Sequence, residues 1–123
     1  MTMQRHPDDR TARRLHEFLA FSELGARLVA CGRAAFDADE MLRLAAEAIL
    51  HRIGESVARL DDAFTSEHPG AAWRRMKGMR NVIAHDHAAV DHGILWNALE
   101  KDLPREAATV ARIVASIGGS GHN

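Results

Sequence analysis

The segment Ala71-Ala72-Trp73-Arg74-Arg75-Met76-Lys77-Gly78-Met79-Arg80-Asn81-Val82-Ile83-Ala84 holds four cations, Arg74, Arg75, Lys77 and Arg80, and no acid. His85, Asp86 and His87 follow it directly. A guanidinium can hold a phosphate in a two-pronged grip. An imidazole changes charge near neutral pH and can act as a general base. Arg80 and His85 together therefore suffice for cutting RNA without a metal. The base takes the proton of a ribose 2′-hydroxyl, the oxygen attacks the adjacent phosphorus, and the cation stabilises the crowded phosphate. On one straight α-helix, side chains five residues apart point ~140° from each other. Arg80 and His85 converge only if the helix ends near Ala84 or a second chain completes the site.

Blander roles compete. At 100° per residue, Trp73 and Arg80 share the shoulder of a stripe formed by Ala72, Met76, Met79 and Ile83. An arginine held at such a boundary needs a carboxylate, a phosphate or carbonyl oxygens. A structural ion pair with an acid such as Asp91 or Glu47 meets that need. A histidine at a helix end often caps or packs, and the Arg-x4-His spacing occurs often by chance. His85, Asp86, His87, Asp91 and His92 are types that suit zinc. Their spacing matches no strong metal pattern, so no metal or other cofactor is expected. Cys31 and the methionines suggest packing alone.

The rest of the chain must position these groups. Its 123 residues, 46% of them apolar and 27% charged, suit one domain with one core and exclude a disordered chain. No apolar run approaches the ~18 residues of a membrane span. The first residues lack the apolar centre of an export signal, and Cys31 is the sole cysteine, so the simplest address is the cytoplasm. A net charge of −1 argues against a surface that coats nucleic acid everywhere, but leaves room for a local basic site.

The pattern is all-α. Ala, Leu, Arg and Glu dominate, and alternating β-branched runs are missing. A first helix is expected over about Asp8 to Cys31, capped by Asp8 or Asp9, with Leu15, Phe18, Leu19, Ala26 and Val29 on one stripe and Gly32 at its end. Phe36 should pack back on the core from the following turn. A second helix is expected over about Ala38 to Phe64, with Asp37 as cap and a broad apolar face that includes Met41, Leu44, Ala45 and Ala48. Gly54 within it predicts a close helix crossing. After a loop ending in Pro69 and Gly70, further helices are expected over about Ala71 to Ala84, Asp91 to Lys101 and Pro104 to Ile117. Residues 118–123 should be a loose tail. Short connections favour an up-and-down bundle of about five helices.

Several motifs stand in a fixed order along the chain. Ala48, Ile53, Gly54 and Glu55 read A-x-x-x-x-I-G-E; Trp73 follows the loop ending in Pro69; Gly78, Met79, Arg80, Asn81 and His85 read G-M-R-N-x-x-x-H; then come Val90, Asp91, Trp96 and Asp102-Leu103-Pro104. As an ordered set, spanning Leu44 to Leu103, they resemble the HepT-like branch of the HEPN superfamily, small helical ribonuclease toxins of type VII toxin–antitoxin pairs.

The resemblance implies a HEPN-like bundle that pairs into a homodimer, with the Arg-His motifs of both subunits facing a shared cleft. It implies metal-independent endoribonuclease activity, with Arg80 and His85 catalytic and Asn81 orienting phosphate or His85. If the third helix lines the interface, Arg74, Arg75 and Lys77 join Arg80 in a doubled basic patch that attracts RNA in a salt-dependent way. The implied partner is a minimal nucleotidyltransferase antitoxin, which binds the toxin and in some members attaches AMP. One departure stands out. The family motif usually continues Arg-x4-His-x-Tyr, and that tyrosine takes the AMP; here the position is His87, and the chain has no tyrosine at all. Neutralisation then works by masking, or another side chain takes the nucleotide, or that control is lost; His87 remains able to contact RNA. The rival reading is a non-catalytic HEPN protein that only docks a nucleotidyltransferase.

Overall fold

A computed structural model describes residues 9–82 and 92–120. Among them every regular element is helical, in keeping with the all-α expectation. Helix α1 (Asp9–Ala30) buries Thr11, Leu15, Phe18, Ser22, Gly25 and Leu28, spaced three or four residues apart so that they form one stripe. The buried Ser22 hydroxyl donates to the Phe18 carbonyl at 2.8 Å and so enters the core satisfied. Gly32, at φ 94°, ends the helix with a backbone that L residues rarely adopt.

The expected second helix is two, and the turn expected to carry Phe36 is itself a helix. Helix α2 (Arg33–Ala38) carries the fully buried Phe36 against Trp96, with ring centroids 5.2 Å apart. Helix α3 (Glu40–Ala58) is capped by Asp39, not Asp37: Asp39 has the extended backbone a cap requires, and its carboxylate accepts from the Met41 amide at 2.9 Å. Asp37 is instead paired with Arg33 at 2.9 Å. Arg43 fixes the break by donating to the carbonyls of Phe36 and Asp37 at 3.1 and 2.6 Å, two acceptors that the end of α2 leaves open. Likewise Asp61 accepts from the Phe64 amide at 2.7 Å and starts α4 (Asp62–Glu67) afresh.

Helix α5 (Trp73–Gly78) is short and passes into a 3₁₀ turn over Met79–Val82. Met76 and Met79 are buried as expected, while Ile83 lies outside the described residues. Helix α6 (His92–Asn97), a π-helical segment (Ala98–Asp102) and α7 (Leu103–Ser120) follow one another without a gap, so the expected fourth and fifth helices are continuous. Pro104 explains the π segment: it has no amide to give the carbonyl four residues back, and its ring crowds that carbonyl. The Leu103 amide reaches Ala98 O, five residues back, and the helix absorbs the proline as a bulge. Leu95, Ala98 and Leu99 are buried, whereas Ile94 is exposed. The expected loose tail is helical as far as Ser120, because extending an existing helix adds one backbone bond per residue.

Helix α3 is the hub, packed on α1, on α2 and on α5 with its 3₁₀ turn, while α7 closes over α1. Its buried residues, from Ala46 to Val57, meet these neighbours. Met41 and Leu44 are exposed among the described residues, at 76% and 56%. No described helix is long and apolar enough to cross a membrane.

Candidate functional site

The site is built where the 3₁₀ turn crosses α3. A Cβ added to Gly54 would stand 2.6 Å from the Cβ of Arg80, 2.7 Å from its amide nitrogen and 2.9 Å from the Lys77 carbonyl. Only a residue without a side chain lets the two backbones approach so closely. The crossing expected at Gly54 is therefore present, and its counterpart is Arg80 itself. The next residue of α3, Glu55, accepts a hydrogen bond from Arg80 Nη1 at 2.7 Å. Arg59, at the C-cap of α3, brings Nη2 to 3.9 Å from the other carboxylate oxygen. The hydrogen bond from Arg80 holds the Glu55 carboxyl below the ordinary 4.5; partial burial opposes this, and the charges of Arg80, His51 and Arg59 assist it.

Arg80 is thus a boundary residue, as expected, with its side chain 31% exposed. Its carboxylate partner is Glu55, in place of the Asp91 or Glu47 suggested by sequence. Asp91 lies outside the described residues, and Glu47 sits two turns before Glu55 on α3. The signal was present: a glycine inside a helix marks a crossing, and the acid beside it is the one a crossing arginine meets first.

Arg80 lies in the 3₁₀ turn, past the end of α5 at Gly78, so the angle calculated for a straight α-helix does not apply to it. The Asn81 backbone follows in the same turn. His85, Asp86 and His87 lie outside the described residues. Of the proposed metal cluster only His92 is described; its ring meets Phe36 edge-on at 6.3 Å. Arg74, Arg75 and Lys77 are exposed on α5 and form no ion pair among the described residues.

Beyond Glu55 a groove of about 370 Å³ opens between α1 and α3. Arg14, His51, Arg52 and Arg59 line it together with Glu17 and Glu55. Arg14 is paired with Glu17 at 3.3 Å, and the Arg52 guanidinium lies 5.8 Å from the centre of the Phe21 ring. Phe21 and Arg52 also bound a second, mainly apolar groove of about 600 Å³ that runs past Leu24, Leu42, Ala45 and Ala48. One face of α1 and α3 is therefore apolar toward Met41 and cationic toward Arg59. Sequence reasoning did not single out Arg14, Arg52 or Arg59, because they converge from two helices and share no local spacing.

The family profile of HepT-like ribonucleases matches residues 11–113. The chain is 30% identical over 67 residues to a protein of Methanocaldococcus jannaschii named as a candidate RNase, covering 54% of this chain and 62% of that one. It is 30% identical over 79 residues to a second candidate RNase, from Caldanaerobacter subterraneus, covering 64% and 70%. A probable ribonuclease HepT of Thermococcus cleftensis is 32% identical over 69 residues, covering 56% and 63%. The match thus spans less than two thirds of the length of the first and third of these relatives. No solved structure matches the chain. The ordered motifs, the helical bundle around α3 and the profile over most of the chain converge: this protein belongs to the HepT-like ribonuclease family.

Proposed function

We propose that this chain is the toxin component of a type VII toxin–antitoxin pair, a metal-independent endoribonuclease whose Arg80 and His85 act at a cleft between two protomers. The observation that carries this reading is the placement of Arg80. It is pinned by Glu55 at the rim of a cationic groove, five residues before His85, in a chain of a ribonuclease family. A guanidinium has five N–H donors, and Glu55 engages one of them, so others remain for a phosphate. His85 removes the 2′-hydroxyl proton. The freed oxygen bonds to the adjacent phosphorus, and the bond from phosphorus to the 5′-oxygen breaks as that oxygen takes up a proton. Arg80 stabilises the charge on the five-coordinate phosphorus. Asn81 and His87 flank this pair as supporting contacts. Arg74, Arg75 and Lys77, exposed beside it, raise the local concentration of RNA.

The homodimer is supported by the exposed Met41 and Leu44 and by the apolar groove beside them. The antitoxin is a minimal nucleotidyltransferase, which acts here by masking, or on a side chain other than tyrosine.

The second reading, a non-catalytic docking protein, draws on the same Arg80–Glu55 pair, since a purely structural arginine would be held in the same way. One assay separates them: RNA incubated with the protein in excess chelator, beside Arg80→Ala and His85→Ala. Cleavage by the parent, lost in both variants, is expected. No cleavage by the parent would favour docking, and cleavage that needs added metal would favour a metal-dependent hydrolase.

A further inference from the structure

We infer that the groove between α1 and α3 is a binding site for the sugar–phosphate backbone of single-stranded RNA, guiding a phosphate next to the scissile one onto Arg52 and Arg59. The inference rests on the ribonuclease reading for the identity of the ligand; the site itself rests on charge and shape. The chain as a whole carries a net charge of −1, yet here Arg14, Arg52 and Arg59 line the groove, with Arg80 bonded to Glu55 beside it, against two carboxylates among the described residues, Glu17 and Glu55. Those carboxylates are already engaged, Glu17 by Arg14 at 3.3 Å and Glu55 by Arg80 at 2.7 Å. Arg59 stands 3.9 Å from Glu55, too far for a close hydrogen bond. Arg52 meets only the face of Phe21 and no carboxylate among the described residues. Two guanidiniums are therefore left with donors to spare on one wall of a groove of about 370 Å³, enough for a nucleotide-sized group.

The placement fits a polymer better than a lone anion. Arg52 and Glu55 on α3 and Arg59 at its C-cap follow each other at three- and four-residue intervals, on a helix rising ~1.5 Å per residue. Arg80 joins them from the side, through Glu55. A strand whose scissile phosphate sits at Arg80 passes its neighbouring phosphate along α3 toward Arg59 or Arg52. Arg52, resting on Phe21, can stay in place while its remaining donors turn to the phosphate. The glutamates bias the groove against tight capture of free anions, because a single phosphate must share it with two fixed negative charges.

The test measures binding rather than cleavage, so it survives failure of the ribonuclease reading. The probe is a fluorescent, fully 2′-O-methylated oligoribonucleotide, which cannot be cut through its 2′-oxygen. It is titrated in chelator over a range of salt. Arg52→Gln/Arg59→Gln should bind about tenfold more weakly, and its plot of log affinity against log salt should be shallower by about 0.7, the value for one single-strand phosphate contact. Arg52→Lys/Arg59→Lys keeps the charge and should recover most of that slope. Arg33→Gln/Arg112→Gln removes two cations elsewhere on the surface and should leave both quantities near the parent values. Circular dichroism confirms that each variant is folded. Equal binding by the parent and Arg52→Gln/Arg59→Gln overturns the proposal, as does an equal loss in Arg33→Gln/Arg112→Gln. Competition by AMP as effective as that by unlabelled oligonucleotide would overturn the polymer assignment.

Discussion

Gly54 lies flush against Arg80: a methyl group built on the glycine would stand 2.6 Å from the arginine Cβ and 2.7 Å from its amide nitrogen. A helix interior ordinarily gains about 1 kcal/mol when glycine becomes alanine. Here the atoms in the way belong to the backbone and Cβ of the 3₁₀ turn, which cannot rotate aside. Overpacking of this kind costs about 1–3 kcal/mol. Gly54→Ala should therefore lower the urea midpoint and, by shifting Arg80, reduce RNA cleavage.

Gly25 provides the contrast. It is also buried within a long helix, but its added Cβ would meet Leu103 Cδ2 at 2.9 Å and Leu99 Cδ2 at 3.3 Å, the ends of side chains that can turn. Gly25→Ala should be at least as stable as the parent in urea. If both substitutions destabilise equally, the backbone crossing is not what requires Gly54.

The Glu55–Arg80 pair makes a pH-dependent contribution to stability whose sign is fixed. Arg80 lowers the Glu55 carboxyl below 4.5 in the folded state, so the folded protein releases that proton more readily than the unfolded chain does. The resulting stabilisation is present above 4.5 and is lost as the pH falls through the lower folded value. Glu55→Gln should unfold at lower urea than the parent near pH ~7, and the gap should narrow as the pH falls below 4.5. A gap that persists undiminished in acid would mean that glutamine disturbs packing rather than charge.

What could be read from the sequence divides along physical lines. Periodicity located Leu15 and Phe18 in the core of α1 and the burial of Met76 and Met79, because burial follows residue spacing directly, but Ala26 of the expected α1 stripe is exposed and Leu28 is buried in its stead. The internal glycine located the crossing of α3 with the Arg80 turn. Breaks between helices were less legible. Asp37, Asp39 and Asp61 are all suitable caps, and only backbone conformation selects Asp39 and Asp61. Pro104 read as the start of a helix because a first turn tolerates proline, whereas here a π bulge carries the helix past it. The partner of Arg80 is 25 residues away, and only the glycine beside Glu55 pointed to it. Arg14 and Arg52 meet across two helices, so their convergence is a product of the fold alone.

The chemistry proposed for Arg80 and His85 fixes the ends of the products. Because the nucleophile is the neighbouring hydroxyl, the upstream fragment should carry a 2′,3′-cyclic phosphate and the downstream one a free 5′-hydroxyl. A substrate with a single 2′-deoxy nucleotide at the cleaved position should resist cutting there. Mass spectrometry of the fragments reads both outcomes, and a plain 3′-hydroxyl would mean that water or a metal-bound hydroxide is the nucleophile.

The proposed dimer makes its own prediction through Met41 and Leu44. Both are exposed among the described residues, so replacing them with aspartate removes little packing there. At a two-fold interface each substitution occurs twice on the same patch. Covering one such side chain contributes ~1.5–3 kcal/mol, and charges facing each other there would oppose association further. Met41→Asp/Leu44→Asp should therefore keep its helical circular dichroism while its mass in sedimentation falls from twice 13.5 kDa toward 13.5 kDa. RNA cleavage should fall with the dimer fraction and recover as protein concentration is raised, because in the proposed dimer the cleft that joins Arg80 and His85 forms only when two chains meet. A monomer that cleaves as fast as the parent would place the complete site within one chain.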